Sequence, residues 1–586
     1  MDLITRHKNK LLYALPTFCF LSAATIAAWL HAKKFSFVCD DAYISFRYAQ
    51  NLARYGALEW NLGERVEGFT NFLWTVLLAG FMKMGISPVS ASLFLGRLMG
   101  AAGVVLMFYL LFNLHRDDAH RKNPLHSLNP SLHLGPFLLA STAAYACWSS
   151  GGLETSMFTS LILGSFVLYM KEERCSKKYR FSGIVMAAAA MTRPEAVLLF
   201  AWMGVHRLVF SICELWRRSR KKGSPHLKKV FLQILLRDCL WAGGFVLIYG
   251  AYFLWRYNYY GHLFPNTYYI KASSPNPEET WMLGRQYLDT FVRDYRLIYL
   301  AWVPPIGIAL SIRNAFKKAG SILPLFAWTY ALGGCVVLGM VVVKVGGDFM
   351  AMHRFWVPVI PFLVFMLADT IRQVANLVED HLPLPRFRTA AAWSVCGVFS
   401  ALLVLGLVRI SNNLGQKSLN TLTVTRTGYH GAYDGKESVA FMDRFARDRV
   451  LIGEWLKKRV PRNSWIAVGG AGAIVFSSEL NAIDSFGLSD AYVAHKVEPI
   501  SSKPGHQKLA PMSYILSREP DIICTPQVTR MVDWEYRPPI RVRQHWERHG
   551  YQYFCANPQG LRPSHYCCLM RADKDLGLTP VSAYLN

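Results

Sequence analysis

The residues best suited to chemistry fall at 39–74. Asp40 and Asp41 stand side by side just past an apolar stretch, 11–30, and are followed by Tyr43, Arg47, Glu59, Glu64, Arg65, Glu67 and Asn71. A carboxylate set among polar and aromatic side chains can take a proton from a hydroxyl. After the pair, Ala42, Phe46, Ala49 and Ala53 form a helical stripe, which predicts an amphipathic helix lying on the outer membrane surface. Aspartate is a favoured N-cap, so one of the two can simply cap that helix. Adjacent helical positions diverge by about 100°. Two separate roles are therefore expected, not one shared proton.

Other polar residues recur beside the ends of apolar runs. Glu154 sits in Gly151-Gly-Leu-Glu154-Thr155, and Arg193 and Glu195 in Thr192-Arg193-Pro194-Glu195. His262, Asn266, Tyr268 and Lys271 share the stretch 260–271, and Asp348, His353 and Arg354 share 346–354. Ionisable groups at membrane depth are costly, so a functional reading is the default. For Arg193 and Glu195 an ion pair that holds spans together is the competing reading. Arg354 and Lys271 suit a phosphate, which needs cationic donors.

These residues must be positioned by a largely apolar scaffold. The chain has 586 residues, 52% hydrophobic and 14% aromatic, with mean hydropathy +0.20. That composition indicates an integral membrane protein with soluble mass attached. Candidate spans are 11–30, 88–114, 134–149, 155–170, 181–192, 195–212, 233–255, 296–311, 321–343, 355–371 and 389–410. The short 181–192 reads as a helix ending inside a protein cavity. The first span lacks a cleavage site and is followed by many others, so it is not a signal peptide.

Lys and Arg in the connecting loops set the orientation. Clusters occur at Arg6/Lys8/Lys10, Arg116/Arg121/Lys122, Lys171/Arg174/Lys177/Lys178/Arg180 and Arg217/Arg218/Arg220/Lys221/Lys222/Lys228/Lys229. Two more are Arg313/Lys317/Lys318 and Arg372/Arg386/Arg388. All fall on the cytoplasmic side if the apolar piece 72–85 is a partial helix and not a full crossing. The loop 31–87 and everything after 411 then face outward, where no soluble nucleotide-activated substrate is available. The net charge of +26 fits orientation and contact with anionic lipid. It does not point to nucleic acid, which needs a soluble basic face interleaved with aromatics.

After the last span the composition changes. Residues 411–447 read as loop and short helix, then a helix at 448–459 and strands at 464–468, 480–484 and 521–525. The turn Gly469-Gly470-Ala471-Gly472 opens a short helix, and its structural reading outweighs a dinucleotide fingerprint. Cys524, Cys555, Cys567 and Cys568 allow one or two disulfides outside the cytoplasm, with adjacent Cys567 and Cys568 not paired to each other.

Together the pieces define a reaction type. A sugar on a polyprenyl phosphate needs an apolar groove for the lipid, cations for the phosphate and a carboxylate to deprotonate the acceptor. A phosphomonoester with a pKa near ~6 leaves without an acid catalyst, so one base suffices and the anomeric centre inverts.

The runs Asp-Asp-Ala-Tyr-Ile-x-x-Arg-Tyr-Ala and Trp-Asn-x-Gly-Glu-Arg-Val-Glu-Gly-Phe-Thr-Asn-x-Leu-Trp resemble the GT-C superfamily of membrane glycosyltransferases. The nearest branch is the mycobacterial-type terminal arabinofuranosyltransferase group and its Gram-negative relatives. Gly-Leu-Glu-Thr, Thr-Arg-Pro-Glu, Gly-Gly-Asp-Phe-Met and Asp484-Ser-Phe-Gly-Leu-Ser-Asp490 continue the match in order, over residues 12–490. The loop 115–133 and the tail after 490 depart from the pattern, so acceptor identity transfers least. The resemblance implies a GT-C fold of about 11 transmembrane helices in residues 1–410, and an extracytoplasmic α/β domain, 411–586, that helps hold the acceptor.

It also implies an enzyme of the inner (plasma) membrane that moves a sugar, arabinofuranose, from a polyprenyl-phosphate donor to a glycan, lipopolysaccharide or protein acceptor. Asp40 or Asp41 is then the base, with Asp40 preferred. Arg354, Lys271, His353, Tyr268, Arg193 and Asp348 are candidates for the donor phosphate and sugar. Tyr43, Arg47, Glu67, Asn71, Glu154, Glu195, His262 and Asn266 are candidates for the acceptor or for supporting the site. Mg²⁺ or Mn²⁺ is open, since Asp40, Asp41 and Asp348 can supply oxygens. A flippase of lipid-linked sugars and a non-catalytic glycan-assembly protein are the rival readings.

Overall fold

The computed structural model describes residues 2–122, 130–175, 180–219, 227–317, 321–381 and 388–581. Lys177, Lys178, Arg220, Lys221, Lys222, Lys318 and Arg386 of the orientation argument lie outside them. Among the described residues, eight helices are long and apolar enough to cross a membrane: Leu15–Lys34, Pro88–Leu114, Glu195–Trp216, Lys228–Tyr260, Leu297–Phe316, Leu323–Lys344, Ile360–His381 and Thr389–Asn420. The chain is a multi-pass membrane protein.

Shorter helices complete the bundle. Phe72–Lys83 has 12 residues, about 18 Å at 1.5 Å per residue, against a hydrocarbon core of about 30 Å. It is thus a partial helix, as loop parity required. Phe181–Thr192 is equally short. The expected span 134–149 is not one helix. It breaks at Thr142, which turns extended between Pro130–Ser141 and Ala143–Trp148, with its hydroxyl donating to the Leu138 carbonyl.

Asp40–Tyr55 is helical, but it does not lie free on a membrane surface. Residues from Ala42 to Asn51 are all buried, because the helix packs against Phe72–Lys83 on one side and against Val439–Lys457 and Ala473–Ser478 on another. The four-residue stripe saw one buried face, and the fold buries the rest.

The C-terminal α/β domain begins later than composition suggested. The last membrane helix runs on to Asn420, so the expected boundary at 411 falls inside it. Val439–Lys457 starts nine residues before the expected 448, with the Ser438 hydroxyl capping its first turn at Phe441 N, 3.0 Å. The predicted strands occur as Trp465–Val468, Asn481–Asp484 and Ile522–Cys524. These three pair in parallel, with Trp465–Val468 in the middle. His565–Arg571 then adds antiparallel to Ile522–Cys524 and also pairs with Arg530–Val532 and Tyr551–Ala556. Cys524 is bonded to Cys568 and Cys555 to Cys567, so both disulfides tie neighbouring strands of this sheet.

The loop after Asp40–Tyr55 docks this domain onto the bundle. Asn61 pairs with the edge strand through both groups of its amide, donating to the Ala482 carbonyl at 2.8 Å and accepting from Ala482 N at 3.0 Å. Arg47 donates to the Leu480 carbonyl at 3.3 Å, and Arg518 reaches Glu64 at 3.0 Å. Much of the Trp-Asn-x-Gly-Glu-Arg motif is therefore a domain clasp.

Candidate active site

A cavity of about 1000 Å³ lies where the bundle meets the α/β domain. One wall is apolar, formed by Leu338, Val341, Val342, Tyr252, Phe253 and Leu263 from membrane helices and the loop behind them. The other reaches Gly469, Gly470, Thr529 and Tyr566 of the α/β domain. Asp40, Asp41, Glu67, Arg193, Glu195, Tyr268, Lys271, Asp348 and Arg354 all line it. The sequence scattered these residues over more than three hundred positions, and the fold brings them to one space.

The adjacent aspartates have different surroundings. Cys39, not an aspartate, is the N-cap of Asp40–Tyr55, and no side chain caps that helix. Asp40 instead turns toward the α/β domain, where its Oδ1 accepts from Ala473 N at 2.9 Å. A Cβ at Gly472 would collide with the Asp40 backbone carbonyl, so this glycine permits the close approach. Burial pushes the Asp40 carboxyl up, against Arg449 and the Ala473 amide, which pull it down. Asp41 faces the cavity, and no hydrogen bond or ion pair engages its carboxylate among the described residues. The divergence expected of neighbouring helical positions is what separates them.

Opposite Asp41 are the cations. Lys271, at the end of the short helix Asn266–Lys271, has no hydrogen bond or ion pair among the described residues. Burial pushes its ammonium down, as does Arg354, while Asp41 and Asp348 act in the other direction. Arg354 donates from Nε to Asp348 Oδ2 at 2.6 Å, and its guanidinium lies 5.3 Å from the Trp148 ring and 4.8 Å from the Phe355 ring. That leaves its terminal nitrogens for another anion. Two left-handed residues, Met352 and His353, precede it. His353 itself points away from the cavity, with Nε2 2.7 Å from Asp294 Oδ2.

Arg193 is spent on protein carboxylates. It reaches Glu154 at 2.9 Å and Glu195 at 2.6 Å, and Glu154 also accepts from Asn71. Asn71 in turn bonds Ser45. This buried chain fixes the helix ends around the cavity, which is the ion-pair reading of Arg193 and Glu195. Glu67 pairs with Arg256 at 2.8 Å, yet burial still pushes its carboxyl up to about 7.

The remaining candidates lie outside the cavity lining. Tyr43 packs on Phe46 and Phe476, and Arg47 and its neighbours hold the clasp. Asn266 donates to the carbonyls of Gly487, Leu488 and Asp490. His262 stacks on His495 at 4.5 Å, in a separate small pocket. No group of three or more His, Cys, Asp or Glu is placed to hold a metal ion among the described residues.

Sequence reasoning missed Arg256, Glu437, Arg449, Asp484 and His506, which also line the cavity. Arg256 carried a signal, since it closes an apolar run at the end opposite the basic loops. Asp484 was quoted only within a motif. Its carboxyl receives Phe486 N at 3.0 Å and Ser489 N at 2.9 Å, and burial pushes it up to about 7.

Known proteins bear on this arrangement in three ways. Residues 440–568 match a family model described as a domain of unknown function, DUF8728. Over 343 residues, 53% of this chain and 49% of the relative, the sequence is 24% identical to the terminal beta-(1->2)-arabinofuranosyltransferase of Mycobacterium tuberculosis. Over 405 residues, 64% of this chain and 54% of the relative, it is 24% identical to the protein of the same name from Corynebacterium glutamicum. The chain thus spans about half the length of the curated relatives it matches. The apo crystal structure of ArnT from Cupriavidus metallidurans aligns with 95% of this chain and 98% of its own, with a TM-score of 0.52 at 10% identity. The protein therefore has the fold of ArnT and is similar in sequence, over part of its length, to terminal arabinofuranosyltransferases.

Proposed function

We propose that the chain is a glycosyltransferase that moves a sugar, arabinofuranose, from a polyprenyl phosphate to a hydroxyl of a glycan, lipopolysaccharide or protein on the outer side of the inner (plasma) membrane. One observation carries the reading. Asp41, a carboxylate with no protein partner among the described residues, shares a cavity with Lys271 and Arg354 where an apolar wall gives way to the α/β domain. An outward-facing site is supported by the basic loops and by two disulfides in the domain that closes the cavity.

In this mechanism the lipid lies along the apolar wall, and Lys271 and Arg354 hold the phosphate. Asp41 takes the proton from the acceptor hydroxyl, whose oxygen attacks the anomeric carbon. The carbon–oxygen bond to phosphate breaks as the new glycosidic bond forms. The polyprenyl phosphate leaves with one more negative charge, and the two cations stabilise that charge where it develops. One displacement inverts the anomeric configuration. Asp41 is preferred to Asp40 as base because Asp40 is engaged by the Ala473 amide. The similarity to terminal arabinofuranosyltransferases favours a pentofuranose donor.

The test is incubation of the purified protein with decaprenyl-phosphoryl arabinofuranose and octyl arabinofuranoside, followed by NMR of the product. A new glycosidic bond of inverted configuration is expected. Movement of the lipid-linked sugar between leaflets without bond formation would overturn transfer, and a retained configuration would overturn the single displacement.

A further inference from the structure

The strand Lys436–Glu437 reaches the cavity from the segment after the last membrane helix, and the transfer mechanism leaves it without a task. It is pinned on both sides. Lys436 is buried, with Nζ 4.0 Å from Asp294 Oδ2, the same oxygen that meets His353 Nε2 at 2.7 Å. The Glu437 backbone donates to the Phe349 carbonyl at 2.8 Å, beside Asp348. Side chains alternate along a strand. With Lys436 buried behind the His353–Arg354 segment, Glu437 is sent the other way and lines the cavity. Its carboxylate has no hydrogen bond or ion pair among the described residues. A carboxyl held by such rigid backbone, and left without a protein partner, is suited to bind a substrate hydroxyl.

We propose that Glu437 is an acceptor-binding residue, its carboxyl hydrogen-bonding a hydroxyl of the acceptor sugar next to the one Asp41 deprotonates. The proposal rests on the transferase reading above and adds a specific role for the C-terminal segment. The phosphate side of the cavity holds Lys271 and Arg354, whereas the cations acting on Glu437 are Lys503 and Arg449 of the C-terminal segment, the side that would receive an acceptor. The charged groups around it are Asp41 on its helix, Asp348 on the loop it pairs with, Arg449 on Val439–Lys457 and Lys503 on the loop across the cavity. Burial is the largest influence on this carboxyl. Lys503 and Arg449 oppose it, Asp41 and Asp348 reinforce it, and the result is about 7. Below that pH Glu437 carries a proton to donate.

The experiment uses full-length protein, decaprenyl-phosphoryl arabinofuranose and octyl arabinofuranoside, with wild type, Glu437→Gln and Glu437→Ala compared from pH 6 to 8. At pH 6 Glu437→Ala raises the acceptor KM about tenfold, the loss of one good hydrogen bond, with the donor KM and the thermal midpoint unchanged. Glutamine keeps a donor, so Glu437→Gln holds the acceptor KM within about threefold of wild type. Its KM loses the part of the pH dependence that Glu437 carries, while that of wild type rises through about 7; Glu67 and Asp484 titrate in the same range and leave the same residual slope in both. A purely structural role would not remove that pH dependence. An acceptor KM in Glu437→Ala equal to wild type, or the same pH profile in Glu437→Gln, overturns the assignment. A wild type that forms no glycosidic bond overturns the transferase reading, and Glu437's role falls with it.

Discussion

Replacing Asp41 with asparagine removes a proton acceptor while leaving the shape of the cavity intact. A positioned general base contributes about 10²–10⁴ in rate, or about 3–5 kcal/mol of barrier at 1.36 kcal/mol per tenfold. Because no hydrogen bond or ion pair holds the Asp41 carboxylate among the described residues, its loss strands no partner. Thermal stability should therefore not fall. Asp40→Asn behaves differently. The amide oxygen still accepts from Ala473 N, now 2.9 Å from the carboxylate, and because burial already disfavours the Asp40 charge, its removal costs little stability. Asp40→Ala loses the whole bond to a charged acceptor, about 1.5–3 kcal/mol, and loosens the Ala473–Ser478 helix from Asp40–Tyr55. Initial rates of transfer from decaprenyl-phosphoryl arabinofuranose, paired with thermal unfolding in detergent, separate the two. The expected pattern is activity lost with stability kept for Asp41→Asn, activity within about tenfold with stability kept for Asp40→Asn, and stability lowered for Asp40→Ala. The reverse pattern, with Asp41→Asn active and Asp40→Asn dead but folded, would refute the assignment of the base.

Other consequences are equally direct. Lys271→Gln should raise the donor KM at least about tenfold and leave the acceptor KM alone. An unchanged donor KM would place the phosphate elsewhere. Arg193→Ala leaves buried Glu154 and half-buried Glu195 without their cation and should lower stability by about 3 kcal/mol, read as a lower thermal midpoint. If that variant melts like wild type but loses donor binding, Arg193 is a phosphate ligand instead. EDTA should leave the transfer rate within about twofold, because Asp348 is bound to Arg354 and Asp40 to Ala473 N, so Asp41 keeps only Glu437 as a second unpartnered carboxylate, and no group of three or more His, Cys, Asp or Glu is placed to hold a metal ion among the described residues. A collapse of activity restored by Mg²⁺ or Mn²⁺ would assign those oxygens to a cation.

Several features were legible in the residues because they depend on local chemistry. Apolar length gave eight of the eleven expected spans as helices long enough to cross a membrane among the described residues, and basic loops made 72–85 a partial helix, which has 12 residues. A mixed α/β pattern and glycine punctuation gave the strands at 465–468, 481–484 and 522–524. Helix geometry alone said that Asp40 and Asp41 must diverge. The errors also have physical causes. Composition marks a polar segment but not where a helix stops, so the last membrane helix continuing to Asn420 went unseen. An apolar stripe on Asp40–Tyr55 reports one buried face, and the second was invisible because its partner lies more than four hundred residues away.

The sequence by itself determined which groups could act: a pair of carboxylates, a few cations near helix ends and enough apolar surface to keep them at a membrane. Only the tertiary structure decided which of these are free. It committed Asp40 to Ala473, Arg193 to two glutamates and His353 to Asp294. It left Asp41, Lys271 and Glu437 facing one cavity without protein partners among the described residues. The reason is that a side chain's role at such a site depends on whether its charge is already satisfied. Satisfaction is a matter of distance in space, and residue type and spacing along the chain do not encode it.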